Sequence, residues 1–206
     1  MGPTPDANGL SPGDALFYLP WGTELPTFRC PSDPGRGLPS FGRTNYAACM
    51  GDSPYRGSAG ATDPALRRPS NEALWTRVAQ RGPFVTRQKT RFRDILDGLS
   101  NTILVGEIAT DLGDRDTRTN PRRTWSMTLE SPAVCRDMYA DPERPQFWEW
   151  SVGLLGTPSI KGFRGDRWAD GNPVFTMMNT LLPPNSKTCV GPGFYGGNGD
   201  EHSAST

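Results

Sequence analysis

Histidine is nearly absent from this chain: among 206 residues only His202 carries an imidazole. A Ser-His-Asp or Cys-His mechanism needs that ring as its base, and this one sits in a Gly-rich terminal stretch, so nucleophilic catalysis is not expected. Lysine is scarce too, three residues against 19 arginines. Neither sign of charge prevails, with 22 Lys and Arg balancing 22 Asp and Glu, which removes the electrostatic case for a nucleic-acid partner or an anionic membrane surface. The basic run Arg87-Gln-Lys-Thr-Arg-Phe-Arg93 reads as a solvated approach to the core. No apolar run reaches the roughly 18 residues that a membrane-spanning helix needs. Met1-Gly-Pro-Thr-Pro-Asp6 lacks the basic and apolar regions of a secretory signal, and Asp6 stands where N-myristoylation requires Ser or Thr. No Gly-rich stretch has the phosphate-cradling pattern of a P-loop or a dinucleotide fold.

Glycine and proline are abundant instead: 24 and 21 residues, 45 in all, against a hydrophobic fraction of 34%. A single domain of short elements joined by long, ordered connections is expected. Its centre is Thr90 to Glu107. There Asp94 is placed to cap a helical turn, Ile95 and Leu99 to share its buried face, and Gly98 to take a left-handed exit. Ser100-Asn101 restart the chain as a turn. Thr102-Ile-Leu-Val-Gly106 follows with the continuous apolar character of a central strand covered on both faces.

Residues 1–27 read as a loosely ordered leading segment, punctuated by five prolines, in which only Ala15 to Leu19 looks able to pack. Residues 28–206 form the head. Thr44 to Met50 predicts a small buried strand, Gly51 to Asn71 an excursion, and Glu72 to Ala79 one or two helical turns. Thr124 to Leu129 alternates with a period of two and predicts a strand. Lys161 to Trp168 and Asn172 to Asn179 predict the arms of a hairpin around Ala169-Asp-Gly171, with Pro173 at a strand start or edge.

The four cysteines form an even set with no C-x2-C pair, and one histidine does little to complete a zinc site. Disulfides are the better reading, and of the three possible pairings Cys30 with Cys49 and Cys135 with Cys189 each tie a loop-rich flank to the core. The alternative is four buried free thiols. Bridges imply an oxidising compartment outside the cytoplasm. Asp111, Asp114 and Asp116 place three carboxylates on a Gly-containing loop, which calcium can use; the alternative is a solvated turn neutralised by Arg115 and Arg118. Trp148 and Trp150 are candidates for a sugar-stacking platform that Trp125 and Trp168 would extend, the alternative being that these aromatics are the core. Glu107, Asp111, Asp114, Asp116, Glu149, Asp166 and Asp170 could supply a glycosidase pair, but no spacing selects one.

Four segments in order, Phe28-Arg-Cys-Pro-Ser-Asp-Pro34, Thr44-Asn-Tyr46, Arg91-Phe-Arg-Asp-Ile-Leu-Asp-Gly-Leu-Ser-Asn-Thr-Ile-Leu-Val-Gly-Glu107 and Asn179-Thr-Leu-Leu-Pro-Pro-Asn-Ser186 with Cys189, resemble a family of exported bacterial proteins of unknown function. That family has a prepilin-type N-terminus and a terminal His-x9-Asp-Gly motif, and its members are similar to type II secretion pseudopilins and type IV pilins. The resemblance implies an α+β, loop-rich antiparallel-sheet head domain, normally carried on a long apolar N-terminal helix. No such helix or prepilin leader is seen here, and the chain ends four residues after His202, before the spacer and Asp-Gly. A truncated, processed or strand-deficient head with an exposed sheet edge is the expectation. The expected role is a structural or interaction module of an exported pilin-like surface or filament assembly. Its partners would be other protein subunits, copies of itself included, with no cofactor and no turnover. The rivals are a secreted carbohydrate-binding or glycoside-cleaving domain and a calcium-stabilised adhesin.

Overall fold

The computed structural model describes residues 19–36, 41–53, 78–86, 88–123, 132–136, 140–151, 164–190 and 203–204. The architecture is α+β. Its main sheet is mixed, three strands in the order β2-β1-β4, where β1 is Tyr46–Cys49, β2 is Val105–Glu107 and β4 is Met177–Met178. β1 pairs antiparallel with β2, Ala47 opposite Gly106, and parallel with β4, Cys49 opposite Met178. The expectation of an antiparallel sheet therefore holds for one of its two pairings. A second sheet, in the order β3-β5-β6, joins Arg122–Arg123, Cys189–Val190 and Ser203–Ala204. Among the described residues the helices are single turns: α1 (Leu19–Gly22), α2 (Pro132–Arg136) and α3 (Pro173–Thr176). Among the described residues no helix is long and apolar enough to cross a membrane.

The strand expected within Thr44 to Met50 forms as β1, with Ala47 and Cys49 buried. The expected central strand is corrected. Only Val105–Glu107 is a strand, and it lies at the margin of the sheet, with Ile103 and Val105 about half exposed. Side chains alternate across a strand, and the register sorts them. Gly106 turns toward Met178, whose sulfur lies where a Cβ would stand, while Ile103 and Val105 occupy the uncovered face. Before it, Phe92–Asp94 and Leu99–Asn101 are two 3-10 turns. Asp94 is not an N-cap but the third residue of its turn, its Oδ2 accepting from Arg91 N at 2.9 Å. Gly98 does adopt a positive φ, 85°.

The expected hairpin of Lys161 to Asn179 is not formed by its second arm. Asn172 Oδ1 accepts from Val174 N at 3.2 Å, and Pro173 takes the first helical position, where a missing N–H is harmless. These two residues start α3, so only Met177–Met178 remains a strand. Residues 19–27 of the leading segment are tied to the head: Gly42 N donates to Trp21 O at 2.7 Å and Trp168 Nε1 to Thr23 O at 2.9 Å. The expected strand at Thr124 to Leu129, residues 15–18 and most of the turn at Glu72 to Ala79 lie outside the described residues.

Buried polar side chains outnumber buried apolar ones among the described residues. The apolar clusters are small: Cys135, Leu182 and Cys189 in one, Val174, Phe175 and Val190 in another. Burying a polar group costs free energy unless it is hydrogen-bonded, so hydrogen-bond geometry must specify this interior.

Candidate functional site

The strongest polar centre is built on Asp33. Two prolines, Pro31 and Pro34, restrict the backbone around it, and Asp33 N closes a turn on Cys30 O at 3.1 Å. Its carboxylate then collects donors from three chain segments. Oδ1 accepts from Gly35 N and Thr110 Oγ1, each at 2.8 Å, and from Arg29 Nη2 at 3.4 Å. Oδ2 accepts from Asn45 Nδ2 at 2.6 Å and Thr110 N at 2.9 Å. Burial alone would raise the Asp33 pKa, but hydrogen bonds from Thr110, Gly35 and Asn45 outweigh it and hold the carboxyl below its ordinary value. Asn45 is the second hub. Its Nδ2 also donates to Ile108 O at 3.0 Å, its Oδ1 accepts from Cys30 N at 3.0 Å, and its backbone bonds to Phe28 O and Ile108 N at 2.7 Å each.

Beside this knot lies a cavity of about 490 Å³, lined by Cys30, Asp33 and Asn45 from the knot, Glu107 to Ala109 after β2, Arg118 and Arg164, and the Pro184-Asn185 turn. Asn185 holds a left-handed backbone, φ 64°.

The second centre is Arg164-Gly-Asp-Arg167, folded inward. Gly165 has φ 65°, and a Cβ on it would collide with Thr44 O. Here Gly is required both for backbone conformation and for close approach. Arg164 is 1% exposed. Its Nη1 donates to Met177 O at 2.6 Å and reaches Pro173 O and Val174 O at 3.4 and 3.3 Å, which satisfies the carbonyls that end α3. Burial pulls its pKa down to about 9. Arg167 lies between the rings of Phe41 and Phe175, at 5.1 and 4.5 Å, with Nε 3.5 Å from Asp166 Oδ1 and Nη1 3.8 Å from Asp170 Oδ2. Asp166 is fully buried, and burial pushes its pKa up to about 7 against the opposing pull of Arg167.

The sequence-derived sites fare unequally. Cys135 and Cys189 are bridged, Cα to Cα 5.9 Å, linking α2 to β5 across 54 residues. Cys30 and Cys49 are free thiols, which corrects the other pairing. Cys30 N is held by the Asn45 side chain, whereas Cys49 lies four residues further along an extended segment, roughly 13 Å at 3.3 Å per residue. A bridge tolerates a Cα separation of only about 4.4–6.8 Å. The calcium reading of Asp111, Asp114 and Asp116 is also corrected. Asp111 is turned inward, accepting from Gly113 N at 2.8 Å and Thr119 Oγ1 at 3.2 Å, Asp114 Oδ1 accepts from Asp116 N at 3.2 Å, and Asp116 is engaged by Arg118 at 2.5 Å. Among the described residues no group of three His, Cys, Asp or Glu could hold a metal ion.

The tryptophan platform does not form either. Trp148 is 2% exposed, donating from Nε1 to Asn120 O at 2.7 Å. Trp150 is 83% exposed under the Arg115 guanidinium at 4.8 Å. One is core and the other surface, so they share no face for a sugar. Asp166, a candidate glycosidase carboxyl, is sealed from solvent. His202 lies outside the described residues.

A family profile described as "Protein of unknown function (DUF1559)" matches residues 4–205. The chain belongs to the DUF1559 family. No curated protein and no solved structure matches it. The match spans both polar centres and the disulfide of this DUF1559 chain. The Cys-Pro-Ser-Asp and Thr-Asn-Tyr segments stand out in the sequence, but their clasp on each other does not. Sequence reasoning missed Arg164 and Arg167, for which the signal was two arginines flanking a Gly in an aromatic setting.

Proposed function

We propose that this DUF1559 domain is a subunit of an exported, pilin-like surface assembly, associating with further copies of itself through the uncovered face of the β2-β1-β4 sheet. The observation that carries the reading is a set of exposed apolar side chains: Tyr46 and Val105 on β1 and β2, and Phe92, Leu96, Leu99 and Ile103 in the segment that leads into β2. An apolar sheet face has to be buried against something, and an open β2 edge can pair with another strand. The rim favours a second copy. Arg91, Arg93, Asp94 and Asp97 in the segment before β2, and Glu107 at its end, are all exposed and carry both signs of charge, and a formal net charge of zero adds no repulsion between copies. Export is supported by the Cys135–Cys189 bridge. The role requires no turnover.

Sedimentation over a concentration series tests this. The native chain should associate with rising concentration, and Ile103→Lys with Val105→Lys should leave a folded monomer. A native chain that stays monomeric throughout would overturn the reading.

A further inference from the structure

A second cavity, of about 460 Å³, shares Arg118 and Asn185 with the first. Three separate segments bring a cation to its wall: Arg118 from the loop before β3, Arg136 from the end of α2 and Lys187 from just before β5. Among the described residues that line it there is no carboxylate. The fold places each cation. Asp116, itself buried, accepts from Arg118 Nε at 2.9 Å and Nη2 at 2.5 Å, which leaves Nη1 available on a side chain that is 43% exposed. The Cys135–Cys189 bridge fastens α2 beside β5, and Lys187 Nζ donates to Arg136 O at 2.9 Å with the Trp148 ring 6.0 Å away. Unlike the sealed Arg164, these side chains can be reached from solvent: Arg118 and Arg136 are exposed and Lys187 is half-buried. A cleft lined by one sign of charge concentrates ions of the other.

We propose that this cavity binds a phosphate group, free or as the monoester of a small hydroxylated molecule, held among Arg118, Arg136 and Lys187. This goes beyond the assembly role and does not rest on it. Arginine offers a planar fork to phosphate oxygens and lysine a compact charge. A tetrahedral oxyanion presents an oxygen to each of three cations that come from three segments, where a planar carboxylate has two to give. Gln146 and Asn185 add neutral side-chain amides to the lining, and the volume falls in the range of small-molecule sites, so the body of a glycerol-sized ester fits beside its phosphate.

The test is a titration of the isotopically labelled chain with inorganic phosphate, glycerol 3-phosphate and acetate at constant ionic strength, followed by amide shifts. Both phosphates should give saturable shifts at Gln146, Asn185 and Lys187, with acetate about ten-fold weaker or more; whichever phosphate binds tighter identifies the group as taken free or on an organic body. Affinity should fall as pH drops below about 6, where the second phosphate charge is lost. Arg136→Gln should weaken binding about ten-fold, the loss of one charge-assisted hydrogen bond. Because Lys187 leans on Arg136 and that variant could disturb the wall, Gln146→Glu provides an independent arm. It places a negative charge in the lining from an exposed position, and should abolish the response while leaving the melting temperature unchanged. Absence of any saturable response, an equal response to acetate, or a phosphate response that survives Gln146→Glu would each overturn the proposal.

Discussion

Asn45 Nδ2 lies 2.6 Å from Asp33 Oδ2, and this contact joins the Cys-Pro-Ser-Asp loop to the strand that anchors the main sheet. Through Asn45 the same clasp reaches Cys30 and Ile108, and through Asp33 it reaches Thr110. A chain with little apolar mass is thus tied at a point where three segments meet, by groups whose geometry leaves few alternatives.

Replacing either hub should cost more than an average substitution. Asn45→Ala strands the Cys30 amide and the Ile108 carbonyl and takes one of two donors from Asp33 Oδ2, and losing buried partners costs about 1–3 kcal/mol for each group left unsatisfied. The urea midpoint should fall by an amount equivalent to about 3 kcal/mol. A drop below about 1 kcal/mol would show the clasp to be incidental. Because the Asp33 carboxyl is held below its ordinary value, its contribution is present above about pH 4 and disappears as pH falls through the lowered folded-state pKa. Asp33→Asn should flatten that acid limb of an unfolding profile.

Asp166 works in the opposite direction and in another window. Its pKa rises from an ordinary 3.8 to about 7, so the folded chain binds this proton more tightly than the unfolded one. Its stabilising contribution is complete below about pH 4 and is lost as pH climbs through about 7. Arg167 and Arg43 favour ionisation while burial, Asp170 and Asp111 oppose it. The melting temperature should therefore decline between about pH 5 and pH 8, and Asp166→Asn should remove most of that decline. Parallel profiles for the two proteins would contradict the assignment.

The two tryptophans should separate cleanly. Trp148→Ala empties a fully buried site and removes the bond to Asn120 O, a loss of about 3–5 kcal/mol. Trp150→Ala removes an exposed ring and should change stability by about 0.5 kcal/mol or less. Chemical denaturation of both variants checks this, and equal losses would show that the pair shares one environment after all.

What could be read from the chain followed the range of the forces involved. β1 was legible because Tyr46 to Cys49 is a short apolar run free of Gly and Pro, and Gly98 because a turn required it. The exposure of Ile103 and Val105 was not, because an apolar run does not reveal which face a sheet leaves uncovered. α3 was misread as a strand although Asn172-Pro173 is a helix start, since the decisive carbonyl acceptors' partner, Arg164, lies nine or more residues away in sequence. Both cysteine pairs rest on the same expectation, a loop-rich flank tied to the core; it holds for Cys135–Cys189, whereas Cys30 and Cys49 sit on segments that Asn45 brings together at the wrong distance.

The central claim, an exported module pinned by one bridge, is tested most directly by counting thiols. Natively isolated chain is denatured without reductant, alkylated and weighed by peptide mass spectrometry. Labels on Cys30 and Cys49 alone, with Cys135 and Cys189 recovered as one linked peptide, is the predicted result; four labelled thiols would contradict it.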